Sequence, residues 1–265
     1  MSIITLTTDF GLEDEYAGVM KGVILSIHPG ATIVDITHHI HPQDLIEAAH
    51  TIETSYKYFP SGTVHIVVVD PGVGGERPII ALEKSGHFFL APDNGVLSLL
   101  LDDMGIDSIV HVKNNRYFLK SVSQTFHGRD IFAPVGAHMS MGVHINNLGD
   151  VIEDNHVVRL NLIKPTQSGN GITGQIISID RFGNLITNIG GKHLENICRS
   201  SNDKPVDIRV GRKKIAGLSD NYENSKDQEP LAIVGSRGTL EIAVNKGSAQ
   251  KYFMAKRGDT INVRI

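Results

Sequence analysis

Cysteine is almost missing from this chain: Cys198 stands alone among 265 residues. A single thiol cannot close an internal disulfide, so a disulfide-stapled secreted scaffold is excluded and a reducing compartment fits. No Cys/His grouping has the spacing of a zinc site, and His38, His39 and His41 read as a loop rather than a metal cluster. Tryptophan is absent too, with no consequence, since Leu, Ile, Val and Phe can fill a core. No apolar run approaches the ~20 residues of a membrane helix, and the opening MSIITLTTDF lacks a basic flank before an apolar signal core. A cytoplasmic protein with no membrane partner is expected. Neither sign of charge predominates, the formal net charge being −4. That leaves no electrostatic footprint for a phosphate backbone, so nucleic acid is not an expected partner.

With 40% hydrophobic residues, the chain exceeds one core of ordinary size. Its first part alternates strand and helix. A buried run at Ile3 to Thr8 is followed by helix-spaced apolar residues from Tyr16 to Ile27. A strand follows at Thr32 to Ile36, a helix from Pro42 to Tyr56 and a strand from Val64 to Val69. Further strands are predicted at Ile79 to Leu82, Phe88 to Ala91 and Ile109 to Val112, with helices at Gly95 to Leu101 and Ile131 to Met141. Such alternation predicts an α/β/α domain with a mostly parallel sheet over residues 1–160. Beyond Asn155, short β-rich runs between Gly, Asn, Asp and Ser predict an antiparallel, barrel-like β domain over residues 170–265. Lys164 to Gly171 reads as the linker between them.

In an open α/β sheet, ligands lie beyond the carboxyl ends of the strands. Asp9, Asp70 and the pair Asp93-Asn94 each follow a strand there. Any one of them is more often a turn former, but the set is harder to dismiss. Asp70 opens the glycine-rich loop Pro71-Gly72-Val73-Gly74-Gly75, with Arg77 seven residues on. A carboxylate and a guanidinium can grip a polar small molecule, or simply brace the loop as an ion pair. The loop has neither the lysine-serine of a P-loop nor dinucleotide spacing, which argues against phosphate transfer. His127 stands beside Gly128 before a helix. In the second domain, Phe182 and Asn184 could stack on and read a purine, or make an ordinary turn.

Five segments occur in order: Thr8-Asp9-Phe10-Gly11, Val69-Asp70-Pro71-Gly72-Val73-Gly74, Ala91-Pro92-Asp93-Asn94-Gly95, Phe126-His127-Gly128-Arg129-Asp130 and Asp180-Arg181-Phe182-Gly183-Asn184. Together they closely resemble the S-adenosyl-L-methionine hydroxide adenosyltransferase family, relatives of the fluorinases and chlorinases, from Ile3 to about Phe253. The resemblance implies hydrolysis of S-adenosyl-L-methionine to adenosine and L-methionine, with that molecule as substrate and no cofactor or metal. It also implies a homotrimer whose sites lie between one subunit's first domain and its neighbour's second. By the same resemblance, Asp70, Arg77 and His127 would hold the water, Asp9 would grip the ribose hydroxyls, and Asp180, Ser236 and Arg237 would meet the methionine amino end. Phe182, Asn184 and Tyr222 would enclose the adenine, Val244 and Asn245 would meet its edge through the backbone, and Glu241 falls nearby. Alternatives are a non-catalytic sensor of the same ligand and a halogenase. Against the halogenase, no long insertion follows Ala91-Pro92, and Asp70 would repel a halide. A methyltransferase would need a glycine-rich opening that Gly11, Gly72 and Gly74 do not form.

Overall fold

The computed structural model describes residues 2–102, 104–169, 171–200 and 206–265. They divide into two compact units, 1–161 and 162–265. No described helix is long and apolar enough to cross a membrane.

Unit 1 runs β1 (Ile3–Thr8), α1 (Tyr16–Ile27), β2 (Thr32–Thr37), α2 (Leu45–Ser55), β3 (Val64–Val68), β4 (Ile79–Lys84), β5 (His87–Pro92), α3 (Ser98–Leu101), β6 (Ile106–Val112), α4 (Ala133–Ser140) and β7 (Gly149–Val151). Its sheet has the order β2-β1-β3-β5-β4-β6-β7. The pairs β1·β2, β1·β3 and β3·β5 are parallel. β4 is antiparallel to both β5 and β6, so β6 runs with β5, and five of the seven strands point one way.

Both faces of this sheet are covered, which is why β3 is buried throughout, with His65 the one polar residue among its valines and isoleucine. Val64, Ile66 and Val68 face α1 and α4, packing with Met20, Ile24, Val135 and Ala137. Val67 and Val69 face the other way, with Ala48 and Ile52 of α2 and Leu100 of α3. The two-residue strand period thus feeds two cores at once.

Two helices differ from expectation. The one predicted from Gly95 spans only Ser98–Leu101, after a turn in which Ser98 N–H donates to Gly95 O. The one predicted over Ile131 to Met141 is preceded by a single π turn, Gly128–Phe132, and then runs as Ala133–Ser140. π turns recur beside functional residues, and this one begins next to His127.

Unit 2 contains β8 (Thr166–Ser168), β9 (Gly171–Ile179), β10 (Leu185–Gly190), α5 (Gly191–Ser200), β11 (Asp207–Val210), β12 (Lys213–Ala216), β13 (Pro230–Val234), β14 (Thr239–Val244), α6 (Ala249–Phe253) and β15 (Thr260–Arg264). The path β12-β11-β15-β9-β10-β14-β13 is antiparallel, and its end strands β12 and β13 meet in a nearly closed, barrel-like sheet. The stretch read as a linker is different: β8 folds back on β9, with Thr166 opposite Thr173 and Ser168 opposite Gly171. Asn170, within that stretch, lies outside the described residues.

Candidate active site

β1 and β3 are parallel neighbours, so the residues just past their carboxyl ends, Asp9 and Asp70, reach the same edge of the sheet. Both line one cavity of about 380 Å³ in unit 1, together with Gln43, Tyr16, Phe126 and His127. The Asp70 loop is held against the segment before His127 by Gly74. Its φ is +77°, and a Cβ there would meet Gln124 O at 2.1 Å. Only glycine allows both that backbone and that approach.

The approach joins Asp70, Arg77 and His127 into one network. Arg77 Nε donates to Asp70 Oδ1 and Oδ2, both at 2.9 Å, and Arg77 Nη2 donates to Asp70 Oδ2. Nη2 also lies 2.8 Å from His127 Nδ1. A guanidinium has no acceptor, so Nδ1 must present a lone pair to it. His127 is then neutral, with its proton on Nε2. Burial holds its pKa below the usual histidine value, the Arg77 charge adds to this, and Asp70, Asp130 and a hydrogen bond to the Ser123 backbone act in the opposite sense.

Behind the imidazole, the Asp130 carboxylate accepts from Ser123 N–H at 2.8 Å and Ser123 Oγ at 2.7 Å, and pairs with Arg129. Burial alone would raise the Asp130 pKa, but these donors from Arg129 and Ser123 outweigh it and hold it low. Asp130 thereby fixes the 123–127 segment that carries His127.

Asp93 and Asn94 are not brought to the cavity. Asp93 is buried, accepts from Val158 N–H at 2.9 Å, and has its pKa raised by desolvation. Asn94 donates to Val69 O at 2.9 Å and so braces the strand end from which Asp70 departs.

In unit 2, Asp180 organises the β9–β10 turn: Oδ1 accepts from Phe182 and Asn184 N–H, both at 2.9 Å, and Oδ2 from Asn184 Nδ2 at 3.0 Å. The turn leaves the Phe182 ring 77% exposed. Phe182, Asn184, Tyr222, Val244 and Asn245 line a second cavity, of about 710 Å³. Tyr222 donates to Glu241 Oε1 at 2.6 Å, and that bond, with burial, pushes its pKa up to about 12. Glu241, 7% exposed, therefore supports the tyrosine and does not line the cavity. The Asn245 backbone is occupied within the unit, its N–H on Glu229 O and its C=O receiving Gln228 N–H, while Val244 O takes Gly247 N–H. Ser236 and Arg237 sit exposed at the β13–β14 turn, where Arg237 Nη1 donates to Ser178 Oγ at 3.3 Å.

Among the described residues, His41, Asp44 and Glu47 are the one group with three metal-ligand atoms close together. Helix capping accounts for their contacts: Asp44 Oδ1 accepts from Glu47 N–H, and Glu47 accepts from His41 N–H and Nδ1. Sequence reasoning gave no role to Asp130, although it ends one of the five segments, and missed Gln43. The first could have been suspected from an aspartate two residues past the His127-Gly128 pair, while nothing in the local pattern marks Gln43.

An α/β/α unit with a carboxylate, guanidinium and neutral imidazole at its strand ends, joined to a barrel-like β unit with an aromatic cavity, defines an enzyme of the type that acts on a small polar molecule. Residues 4–149 match the SAM hydroxide adenosyltransferase N-terminal domain and residues 174–262 its C-terminal domain, and the chain belongs to that family. It is 42% identical to the (R)-S-adenosyl-L-methionine hydrolase of Methanocaldococcus jannaschii, covering 99% of this chain and 96% of that protein. A crystal structure of an uncharacterised conserved protein from Thermotoga maritima superposes with a TM-score of 0.92 at 38% identity, covering 99% of this chain and 100% of that one. The fluorinase of Actinoplanes sp. is a more distant relative, at 28% identity over 98% of this chain and 97% of that protein.

Proposed function

We propose that this protein hydrolyses S-adenosyl-L-methionine, with water attacking C5′ to release adenosine and L-methionine. The observation that carries the reading is the Asp70–Arg77–His127 network at the unit 1 cavity. The sulfonium needs no acid, because breaking its bond to C5′ neutralises a positive charge. The work left is delivery of a weak nucleophile in line with that bond, where proximity and alignment supply the rate. A C5′–O bond forms from the water, the C5′–S pair returns to sulfur, and the water gives up a proton.

Within the network, Asp70 Oδ1 takes only one guanidinium N–H and keeps a lone pair for the water. Asp70 is therefore the proton acceptor, Arg77 fixes its orientation, and His127, held through its own N–H by the Ser123 backbone, anchors Arg77 Nη2 through Nδ1. No cofactor is needed for this chemistry. Asp9 would hold the ribose hydroxyls, and Phe182, Asn184 and Tyr222 the adenine, with Asp180, Ser236 and Arg237 toward the methionine end. These groups are divided between the two units, and the proposed assembly is a homotrimer, cytoplasmic, in which a neighbouring subunit's second unit completes each site. Light scattering on the purified protein tests the trimer.

The activity test follows adenosine and methionine by chromatography after incubation in oxygen-18 water. Adenosine carrying the label at its 5′ oxygen is expected. Intact ligand after prolonged incubation would establish a sensor, and a 5′-halonucleoside a halogenase.

A further inference from the structure

The left-handed backbone of Gln43 is the feature of the site that its chemistry leaves unexplained. Asp44 N–H donates to His41 O at 2.9 Å, closing a four-residue turn with Pro42 second and Gln43 third. Gln43 has φ of 66°. Proline second and a positive φ third make a type II turn, whose third position ordinarily goes to Gly or Asn. A glutamine there bears strain that its surroundings must impose, and such strain gathers where a chain serves a ligand.

Those surroundings are well tied. Gly11 N–H donates to His38 O at 2.7 Å and Ile40 N–H to Thr8 O at 3.3 Å, fastening the loop after β2 to the loop after β1. Asp44 caps α2, and His41 is held by Glu47. In a type II turn the third residue's N–H is free of the turn's own bond. Here it points outward and donates to Asp9 Oδ2 at 2.8 Å, and Gln43 lines the cavity with Asp9.

We infer that Gln43 is a positioning residue: its strained turn pins Asp9 Oδ2 through a backbone N–H and leaves Oδ1 aimed at the ribose hydroxyls of the nucleoside. The inference rests on the proposed reading of this cavity as the nucleoside site. It makes recognition of the diol depend on a backbone conformation rather than on the Gln43 amide side chain.

The test compares calorimetric affinities for adenosine and 2′,3′-dideoxyadenosine. Gln43→Val disfavours the left-handed region, and should weaken adenosine about tenfold while leaving the dideoxy ligand unchanged, as expected for a disturbed charge-assisted contact. Gln43→Gly keeps the N–H and accepts the positive φ, and should retain the ratio of the two affinities. Equal weakening of both ligands by Gln43→Val, or loss of the ratio in Gln43→Gly, overturns the inference. A second readout needs no variant: in the wild-type protein, adenosine should slow hydrogen exchange at the Gln43 amide, and the dideoxy ligand should not. Equal slowing by both ligands also overturns it. A wild-type protein that binds neither nucleoside and leaves S-adenosyl-L-methionine intact would instead refute the functional reading.

Discussion

Arg77→Ala separates what the Asp70–Arg77 pair does for stability from what it does for turnover. The Asp70 side chain is 4% exposed and that of Arg77 12%, so the carboxylate has almost no water to fall back on. Removing one partner of such a pair leaves an uncompensated buried charge, a cost of about 3–5 kcal/mol. In a unit of this size that lowers Tm by roughly 6–20 °C. Asp70→Ala removes the need for the guanidinium, so the double variant should be less destabilised than the sum of the singles, with a coupling of about 2 kcal/mol or more. Urea unfolding of the wild type, both singles and the double measures this. Turnover should vanish in all three variants, while adenosine affinity, measured well below each Tm, stays close to wild type. Stability costs that add to within about 0.5 kcal/mol would show that the pair is not coupled. Sustained turnover in Arg77→Ala would remove Arg77 from the mechanism.

Two protonation predictions follow from the same geometry. His127 should titrate below the usual histidine range by NMR. Its midpoint should rise in Arg77→Ala, where a repelling charge is lost, and fall in Asp70→Asn, where a favouring charge is lost; the opposite signs would contradict the assigned contacts. Protonation would set an Nδ1–H against an Arg77 N–H, so activity should decline as pH falls through that midpoint. His65 offers a measurement of stability. It is fully buried, stacked on Phe89, with Thr5 Oγ1 2.8 Å from Nδ1 and His87 Nδ1 3.3 Å from Nε2. Burial, with the charge of His87, lowers its pKa from 6.5 to about 3. Because the folded value is depressed, this stability is present above the unfolded pKa and is lost as pH falls below it. By pH 5 the loss is about 2 kcal/mol. His65→Asn should be less stable at neutral pH but lose less between pH 7.5 and 5, and an identical loss in urea titrations would exclude His65 as the source.

Asp9 and Asp70 were legible because a parallel sheet dictates where a ligand sits, and an aspartate after a strand is easily seen. Arg77 and His127 were legible as residues but not as partners. Their meeting depends on Gly74 lying against Gln124, a contact across fifty residues with no local signature. Gln43 was illegible for the opposite reason: turn chemistry expects Gly or Asn there, so its strain shows only in the backbone. The hairpin of β8 and β9 passed for a linker because Thr166, Gln167 and Ser168 are all exposed and carry no apolar alternation. α5 was missed because Gly191 opens it directly after Gly190 of β10, although Leu194 and Ile197, three residues apart, are buried. The Phe182 segment is an ordinary turn, and the bonds that make it one also leave exposed the ring that the other reading would stack on a purine.

The choice between water and halide as nucleophile reduces to which charges face the cavity. Asp9 and Asp70 both line it, while Arg77 does not, its Nε and Nη2 being directed to the Asp70 carboxylate and to His127. His127 is neutral and adds no compensating charge. A halide stripped of its hydration and placed about 4 Å from a carboxylate meets a repulsion of roughly 4 kcal/mol at the effective dielectric of a protein surface, of which the paired Arg77 charge, about 3 Å farther off, returns roughly half. The net penalty of about 2 kcal/mol is on the order of tenfold in affinity. Water meets no such penalty and gains an acceptor for its proton. High chloride should therefore neither inhibit hydrolysis beyond a general salt effect nor yield 5′-chloro-5′-deoxyadenosine. Asp70→Asn removes the repulsion together with the proton acceptor, so it should lose hydrolysis and gain chloride sensitivity in adenosine binding. Formation of the chloronucleoside by the wild-type protein would mean that the Asp70 charge does not face the nucleophile, and the assignment of Asp70 as its proton acceptor would fall with it.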